Sequence, residues 1–330
     1  MTNEENDLKK FIKTALAGLC AGITLAAAAP ASATIWKGND GSVELSGLYV
    51  FGDSLSDSGN IALVTNGTVP DTSAGYAWGR FTNGPVYADY IAQAYGLQNV
   101  PALLPGGNNY AFGGAEIGVS NNPPGLGAQL GWYASQTGNT ADPNALYIVF
   151  GGGNDINRGS DLSQSLATLY YIVDTLANMG ATNILIPNAP DLGRTPGNNT
   201  DPTQAAALTA RSVAFNQGLA QMIVLLEAAH NIDILDIDLF KWSAEILDNG
   251  TAYGLADTTT ACLGTGGSVC SNPDEYFYWD STHPTARIHQ MVGDRLIAAI
   301  DAAAVPEPAT LALLLAGLGA FGARRRARKA

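Results

Sequence analysis

Leu48-Tyr49-Val50-Phe51-Gly52-Asp53-Ser54 is the stretch whose reading decides the fold. Four apolar residues in a row, two of them aromatic and one β-branched, read as a strand buried on both faces, as strands of a parallel sheet are. The run stops at Gly-Asp-Ser, so a small hydroxyl follows directly on the strand's carboxyl end. Four further apolar stretches flanked by Gly, Asp or Pro have strand character: 109–112, 145–150, 183–187 and 232–237. Segments of helical period alternate with them, over 86–95, 127–135, 162–179, 204–229 and 285–302. Asp161 stands at the start of the third and Gly180 at its end, a cap and a stop. Strands alternating with helices predict βαβ units, a mostly parallel sheet and one three-layer α/β domain.

Such a sheet places function at the carboxyl ends of its strands. The polar and Gly-rich signals all fall there: Gly52-Asp53-Ser54, Gly113-Gly114, Gly151-Gly152-Gly153-Asn154-Asp155, and Asp280-Ser281-Thr282-His283 before the last helix. The chain has three histidines. His230 ends a long helix, where a cation suits the dipole and a surface position is expected. His289, within the last helix, reads as structural or surface-facing. His283 follows Asp280 by three residues, a spacing that lets the carboxylate reach Nδ1 and leaves the other ring nitrogen as a base. Ser54, on a tight turn after a strand, is the matching nucleophile. Its own N–H, a Gly after the second strand and the neutral amide of Asn154 are candidate donors to an oxyanion. Asp53 reads as a loop-fixing acceptor and Asp155 as a cap or brace. Taken singly, each signal has a bland reading as a turn, a strand end or a helix cap; their common placement on one rim gives them weight.

These blocks resemble the GDSL/SGNH hydrolases. Tyr49 to Asn60 (YVFGDSLSDSGN) is similar to that family's first block. Asn109 to Ala115 (NYAFGGA) is similar to the second, with Gly114 at the oxyanion glycine. Gly152-Gly153-Asn154-Asp155 is similar to the third, with Asn154 at the oxyanion asparagine, and Asp280-Ser281-Thr282-His283-Pro284 to the fifth. Gly79-Arg80-Phe81-Thr82-Asn83-Gly84 and Asn188-Ala189-Pro190-Asp191-Leu192-Gly193 resemble the lipase, phospholipase and haemolysin-like branch. The resemblance implies a flavodoxin-like fold with five parallel strands, and acyl transfer from an ester without metal or other cofactor. It also implies a triad of Ser54, His283 and Asp280, with an oxyanion hole of Ser54, Gly114 and Asn154. Two rivals remain: a carbohydrate esterase removing acetyl groups from exopolysaccharide, and a non-catalytic surface or matrix protein on the same fold. The walls of a pocket are expected from the loops 61–83 and 254–275, with Tyr76, Trp78, Phe81 and Tyr253 read equally as apolar lining or as half-buried packing.

The two ends read as targeting segments. Lys9, Lys10 and Lys13 precede an apolar run from Ala15 to Ala29 and the triplet Ala31-Ser32-Ala33, the pattern of a secretory signal over 1–33. At the other end, Val305-Pro306-Glu307-Pro308, an uncharged stretch from Ala309 to Phe321 and a closing Arg cluster resemble a PEP-CTERM sorting signal over 305–330. That likeness implies an exosortase-type sorting protease as partner, a transient membrane contact, and export to the surface, outer envelope or matrix of a Gram-negative bacterium. Residues 34–304 are then the hydrolase domain. Within it Cys262 and Cys270 flank a Gly-rich loop and read as a disulfide in an exported chain. Two cysteines and one distant histidine make no metal pattern. The chain carries 29 acidic against 16 basic side chains, a net charge of −13, which argues against nucleic acid as a partner.

Overall fold

The structure is a computed structural model and describes residues 43–304, except 231 and 233. The expected signal over 1–33 and sorting segment over 305–330 lie outside the described residues. The central sheet has four parallel strands in the order β1 (Leu48–Gly52), β2 (Leu146–Phe150), β3 (Asn183–Pro187) and β4 (Ile234–Ile237). Leu48 pairs with Leu146, Leu146 with Asn183, and Ile184 with Ile234, so the carboxyl ends of the strands line up along one rim.

Side chains alternate across the sheet as the strand period requires. Phe51, Tyr147, Val149, Ile184 and Ile186 enter one core, with residues of α3 (Leu126–Thr137), α5 (Leu162–Met179) and α6 (Pro202–His230). Val50, Leu146, Ile148, Phe150 and Leu185 enter the other, with α2 (Tyr87–Ala94), α7 (Leu239–Asp248) and α8 (Ala286–Ala304). The result is the three-layer α/β domain that the alternation of segments predicts. Two shorter helices, α1 (Asn60–Val64) and α4 (Gly153–Arg158), follow the first strand's turn and β2. A separate parallel pair, β5 (Asp257–Ala261) and β6 (Tyr276–Tyr278), leads into the Asp280 loop.

The expected five-stranded sheet needs one correction. Segment 109–112 lies beside β1 and donates from Tyr110 N to Val50 O (2.7 Å) and from Phe112 N to Gly52 O (3.1 Å), but forms only isolated bridges, at Val50–Asn109 and, on its other edge, at Pro101–Asn109. The rest of that outer edge is met by amide side chains. Asn60 Nδ2 donates to the carbonyls of Asn109 (2.8 Å) and Ala111 (2.9 Å), and Ala111 N donates to Asn109 Oδ1 (2.9 Å). Backbone groups that would otherwise template a further strand are thereby satisfied locally. The same contacts fix the loop that continues to Gly113 and Gly114.

Candidate active site

Ser54 follows β1 on a turn closed by Ser56 N and Asp57 N donating to Asp53 O (3.0 and 2.9 Å). Asp53 is buried, and its Oδ1 accepts from Leu55 N (3.0 Å), the loop-fixing role read from the sequence. Burial pushes its carboxyl up to about 6, against hydrogen bonding and the nearby His283 that pull it down. From below, Gln129 of α3 locks the strand end: its Oε1 accepts from Gly52 N (2.9 Å) and its Nε2 donates to Gly52 O (2.9 Å). Nothing in the sequence singles out Gln129, since only the folded arrangement brings it to Gly52.

Asp57 ties two rim loops together. Oδ1 accepts from Gly59 N (2.8 Å) and Asn60 N (2.7 Å), and Oδ2 from Gly113 N (2.9 Å), 56 residues away. Burial raises this carboxyl too, to about 6, although these N–H groups favour the anion. Gly114, one residue on, has φ +78, a left-handed conformation open to glycine at little cost. Its carbonyl accepts from Arg158 Nη1 (3.0 Å). Asn154, in the first turn of α4, donates from Nδ2 to Ala115 O (2.9 Å), which links the Gly114 loop to the third block and leaves the second amide hydrogen for another acceptor. Asp155 braces this junction, accepting from Ile117 N (3.2 Å) and Ser165 Oγ (2.6 Å). Arg211 of α6 ties down the end of α4 and the turn after it, bonding Ile156 O (3.1 Å) and Ser160 O (2.6 Å).

The loop after β6 brings Asp280 and His283 over Ser54. His283 Nε2 lies 2.7 Å from Ser54 Oγ, and Nδ1 lies 2.8 Å from Asp280 Oδ2. Asp280 Oδ1 accepts from Thr282 N (2.8 Å) and His283 N (2.7 Å), which sets the loop around the carboxylate. Burial works against the Asp280 anion, yet the His283 ring, its backbone N–H and the Tyr76 hydroxyl together hold the carboxyl down at about 2. An ionised carboxylate only accepts, so Nδ1 carries a proton and Nε2 is left to accept from the Ser54 hydroxyl.

Tyr76 is a contact that sequence reading placed elsewhere. Rather than lining a pocket, its hydroxyl donates to Asp280 Oδ2 (2.7 Å), the oxygen that His283 also uses. Its ring packs edge-on against Trp279 at 5.9 Å, and Gly75 (φ +93) leaves room for that indole. Tyr76→Phe is expected to lower kcat by about three- to tenfold, the worth of a net hydrogen bond of about 1 kcal/mol. Without the hydroxyl, Asp280 Oδ2 keeps only His283 Nδ1 as its donor, so kcat should fall with KM unchanged. A change confined to KM or to the melting temperature would leave Tyr76 a packing residue.

The other aromatic candidates also lie off the cavity. Phe81 packs on the His283 ring at 5.4 Å, Tyr253 is half-buried against the α7–α8 core and bonds Glu245 (2.8 Å), and Trp78 is 48% exposed. His289 is buried and stacked on Tyr87; burial, then the charge of His283, lowers it to about 3, and its Nδ1 accepts from Tyr87 N (3.3 Å). His230 is not free on the surface but bonds Asp174 (2.8 Å). Cys262 and Cys270 are joined, with Cα atoms 4.8 Å apart.

Ser54, Asn154 and His283 line one cavity, together with Asp53 and Thr282; Gly114 and Asp280 stand just outside it. The expected wall loops 61–83 and 254–275 contribute none of the lining, which comes from the strand ends, the loop after β3, β6, α7 and α8. The reason is local: Tyr76 is engaged by Asp280, while Leu239, Trp242, Ser243 and Leu247 share one face of α7 and turn it to the cavity. Among the described residues, no group of three or more His, Cys, Asp or Glu side chains could hold a metal ion.

Residues 48–296 match the family model for GDSL-like lipase/acylhydrolase, and residues 304–329 match the PEP-CTERM protein-sorting motif. An uncharacterized Pseudomonas putida protein from the trpE-trpG intergenic region is 30% identical over 291 residues, covering 76% of this chain; the match spans 47% of that protein, about half its length. Acetylajmalan esterase 1 from Rauvolfia serpentina is 26% identical over 76% of this chain and 85% of its own. Among solved structures, a lipolytic G-D-S-L family protein from Veillonella parvula is 15% identical with a TM-score of 0.43, covering 76% of this chain and 96% of its own.

Proposed function

Because the chain belongs to the GDSL-like lipase/acylhydrolase family, we propose that it is an exported serine ester hydrolase working through Ser54, His283 and Asp280. The observation that carries this reading is the unbroken relay from Ser54 Oγ to His283 Nε2 (2.7 Å) and from His283 Nδ1 to Asp280 (2.8 Å), at the edge of a cavity. Ser54 Oγ attacks the ester carbonyl carbon as its proton passes to Nε2. The carbonyl oxygen takes the negative charge and rests on donors from three loops: the N–H groups of Ser54 and Gly114 and the amide of Asn154. As the tetrahedral species collapses, the alcohol leaves with the proton from His283. Water then attacks the acyl-enzyme, giving one proton to His283, and the free acid departs as Ser54 recovers its hydrogen. Asp280 holds the ring orientation and the positive charge in both halves.

The sorting-motif match at residues 304–329 supports export to the surface of a Gram-negative bacterium. In this reading an exosortase-type protease removes the tail after a transient membrane contact. The test of the chemistry is a fluorophosphonate probe with the full-length protein, followed by peptide mass spectrometry. An adduct on Ser54 is expected, and it should be lost in His283→Ala. An intact protein that is neither labelled nor able to cleave any ester would sink the proposal and favour an adhesive role.

A further inference from the structure

The cavity beside Ser54 has a wall that the hydrolytic chemistry does not use. We infer that the apolar cleft between α7 and α8 is an acyl subsite for an unbranched aliphatic chain of about ten carbons, which makes the substrate a medium- to long-chain ester rather than an acetyl ester. This deepens the proposed hydrolase function and rests on it.

Polar side chains cluster about Ser54 in Asp53, Asn154, Thr282 and His283, with Asn157, Asp191, Thr195, Ser243 and His289 elsewhere in the lining. The apolar side is made by Leu55, Phe150, Leu239, Trp242, Leu247 and Val292, with Phe277 and Ile288 beside them. Phe150, Leu239, Leu247, Phe277, Ile288 and Val292 are members of the core on the α7–α8 side of the sheet, so the cavity opens directly into that core. The interior of the cavity measures about 110 Å³, several times what a single water needs. Folded cores hold few voids larger than a water molecule, and an acetyl group would leave most of this wall without contact. On α7 the lining runs from Leu239 to Leu247, eight residues or about 12 Å of helix. An extended chain advances roughly 1.3 Å per methylene, given a carbon–carbon bond of about 1.5 Å, so that wall accommodates about nine or ten carbons. Trp242, with the Arg295 guanidinium 5.9 Å from its ring centre, forms part of the wall where it meets the surface.

No Lys or Arg lines the cavity, while Asp53 and Asp191 do, and Asp191 already accepts from Gly193 N (3.0 Å) and Thr209 Oγ1 (2.7 Å). The site therefore has no cation to receive an anionic group, and an uncharged acyl chain is the complement of its wall.

The test is a series of 4-nitrophenyl esters from acetate to tetradecanoate, kept below their micellar concentrations, with the full-length protein. Burying each methylene is expected to raise kcat/KM about fourfold, until the chain fills the cleft near ten carbons. Ser243→Leu places a branched side chain in the cleft and should move that plateau to shorter acids. A series that is fastest with acetate, or flat with length, overturns the inference while leaving the hydrolase intact. If no ester is cleaved, it is the hydrolase reading that fails. Calorimetry of decanoate and butyrate on Ser54→Ala then decides the subsite separately: tighter decanoate supports it and equal affinity overturns it. The same pair of titrations replaces the Ser243→Leu kinetics if that variant does not fold.

Discussion

Ser54→Ala is expected to lower kcat by about 10⁴- to 10⁶-fold while leaving the fold in place. The hydroxyl is the only group placed 2.7 Å from His283 Nε2, and no second nucleophile lies within that hydrogen bond's reach among the described residues. Without it, the donors left at the rim could still polarise a carbonyl, which sets a small residual rate above water. The side chain is small and its loss removes one partly buried hydrogen bond, worth about 1 kcal/mol, so the melting temperature should move by only a few degrees. Initial rates on protein free of contaminating esterase, with a thermal melt of both forms, give the answer. Turnover within tenfold of the unsubstituted protein would take Ser54 out of the mechanism.

Asp280→Asn is the second large effect, about 10⁴-fold in kcat. The carboxylate has four donors on its two oxygens: Thr282 N and His283 N on Oδ1, and Tyr76 Oη and His283 Nδ1 on Oδ2. An amide cannot accept on both sides. If its oxygen stays with the two backbone N–H groups, its NH₂ faces His283 Nδ1 and the Tyr76 hydroxyl. The imidazole then has to present Nδ1 as an acceptor and carry its proton on Nε2, where it cannot take one from Ser54. KM should change little, because the amide does not touch substrate. The sign of the acid dependence follows from the same contacts. Asp280 is held at about 2, so it remains ionised across the whole range of an ester assay. The stability contributed by the paired Asp280 is fully present above its unfolded value of 3.8 and is lost progressively as pH falls from there through about 2. A variant retaining a tenth of the original kcat would show that His283 is oriented by something else.

The parts of the fold that rest on local patterning were readable from the chain. Segment 183–187 forms β3 and segment 162–179 forms α5, with Asp161 capping Ser163 N and Gln164 N and Gly180 closing the helix. The four rim motifs could be placed because strand ends position them. Segment 109–112 illustrates the limit: its hydrophobicity fits a strand, but its outer edge is shared between a single bridge to Pro101 and the side-chain amides of Asn60 and Asn109, so no ladder extends along it. Gln129, Tyr76 and the α7 wall were not legible as parts of the site. Their partners Gly52, Asp280 and Ser54 are separated from them by 77, 204 and more than 180 residues, and no spacing rule spans such distances. Tyr76 drew attention as an aromatic residue; what mattered was its hydroxyl.

The two cores flanking the sheet bear on how such a protein can diverge. The loops carrying Gly114 and Asn154 rest on Phe112, Ala115, Ile117 and Ile156 in one core, whereas the acyl wall is built from α7 and α8 in the other. A substitution that reshapes Leu247 or Val292 changes the cavity wall on its own side of the sheet and leaves the packing beneath the Gly114 and Asn154 loops, on the other face, in place. Substrate preference can therefore drift under selection by single steps, each tolerated because the bond-breaking apparatus is inherited unchanged.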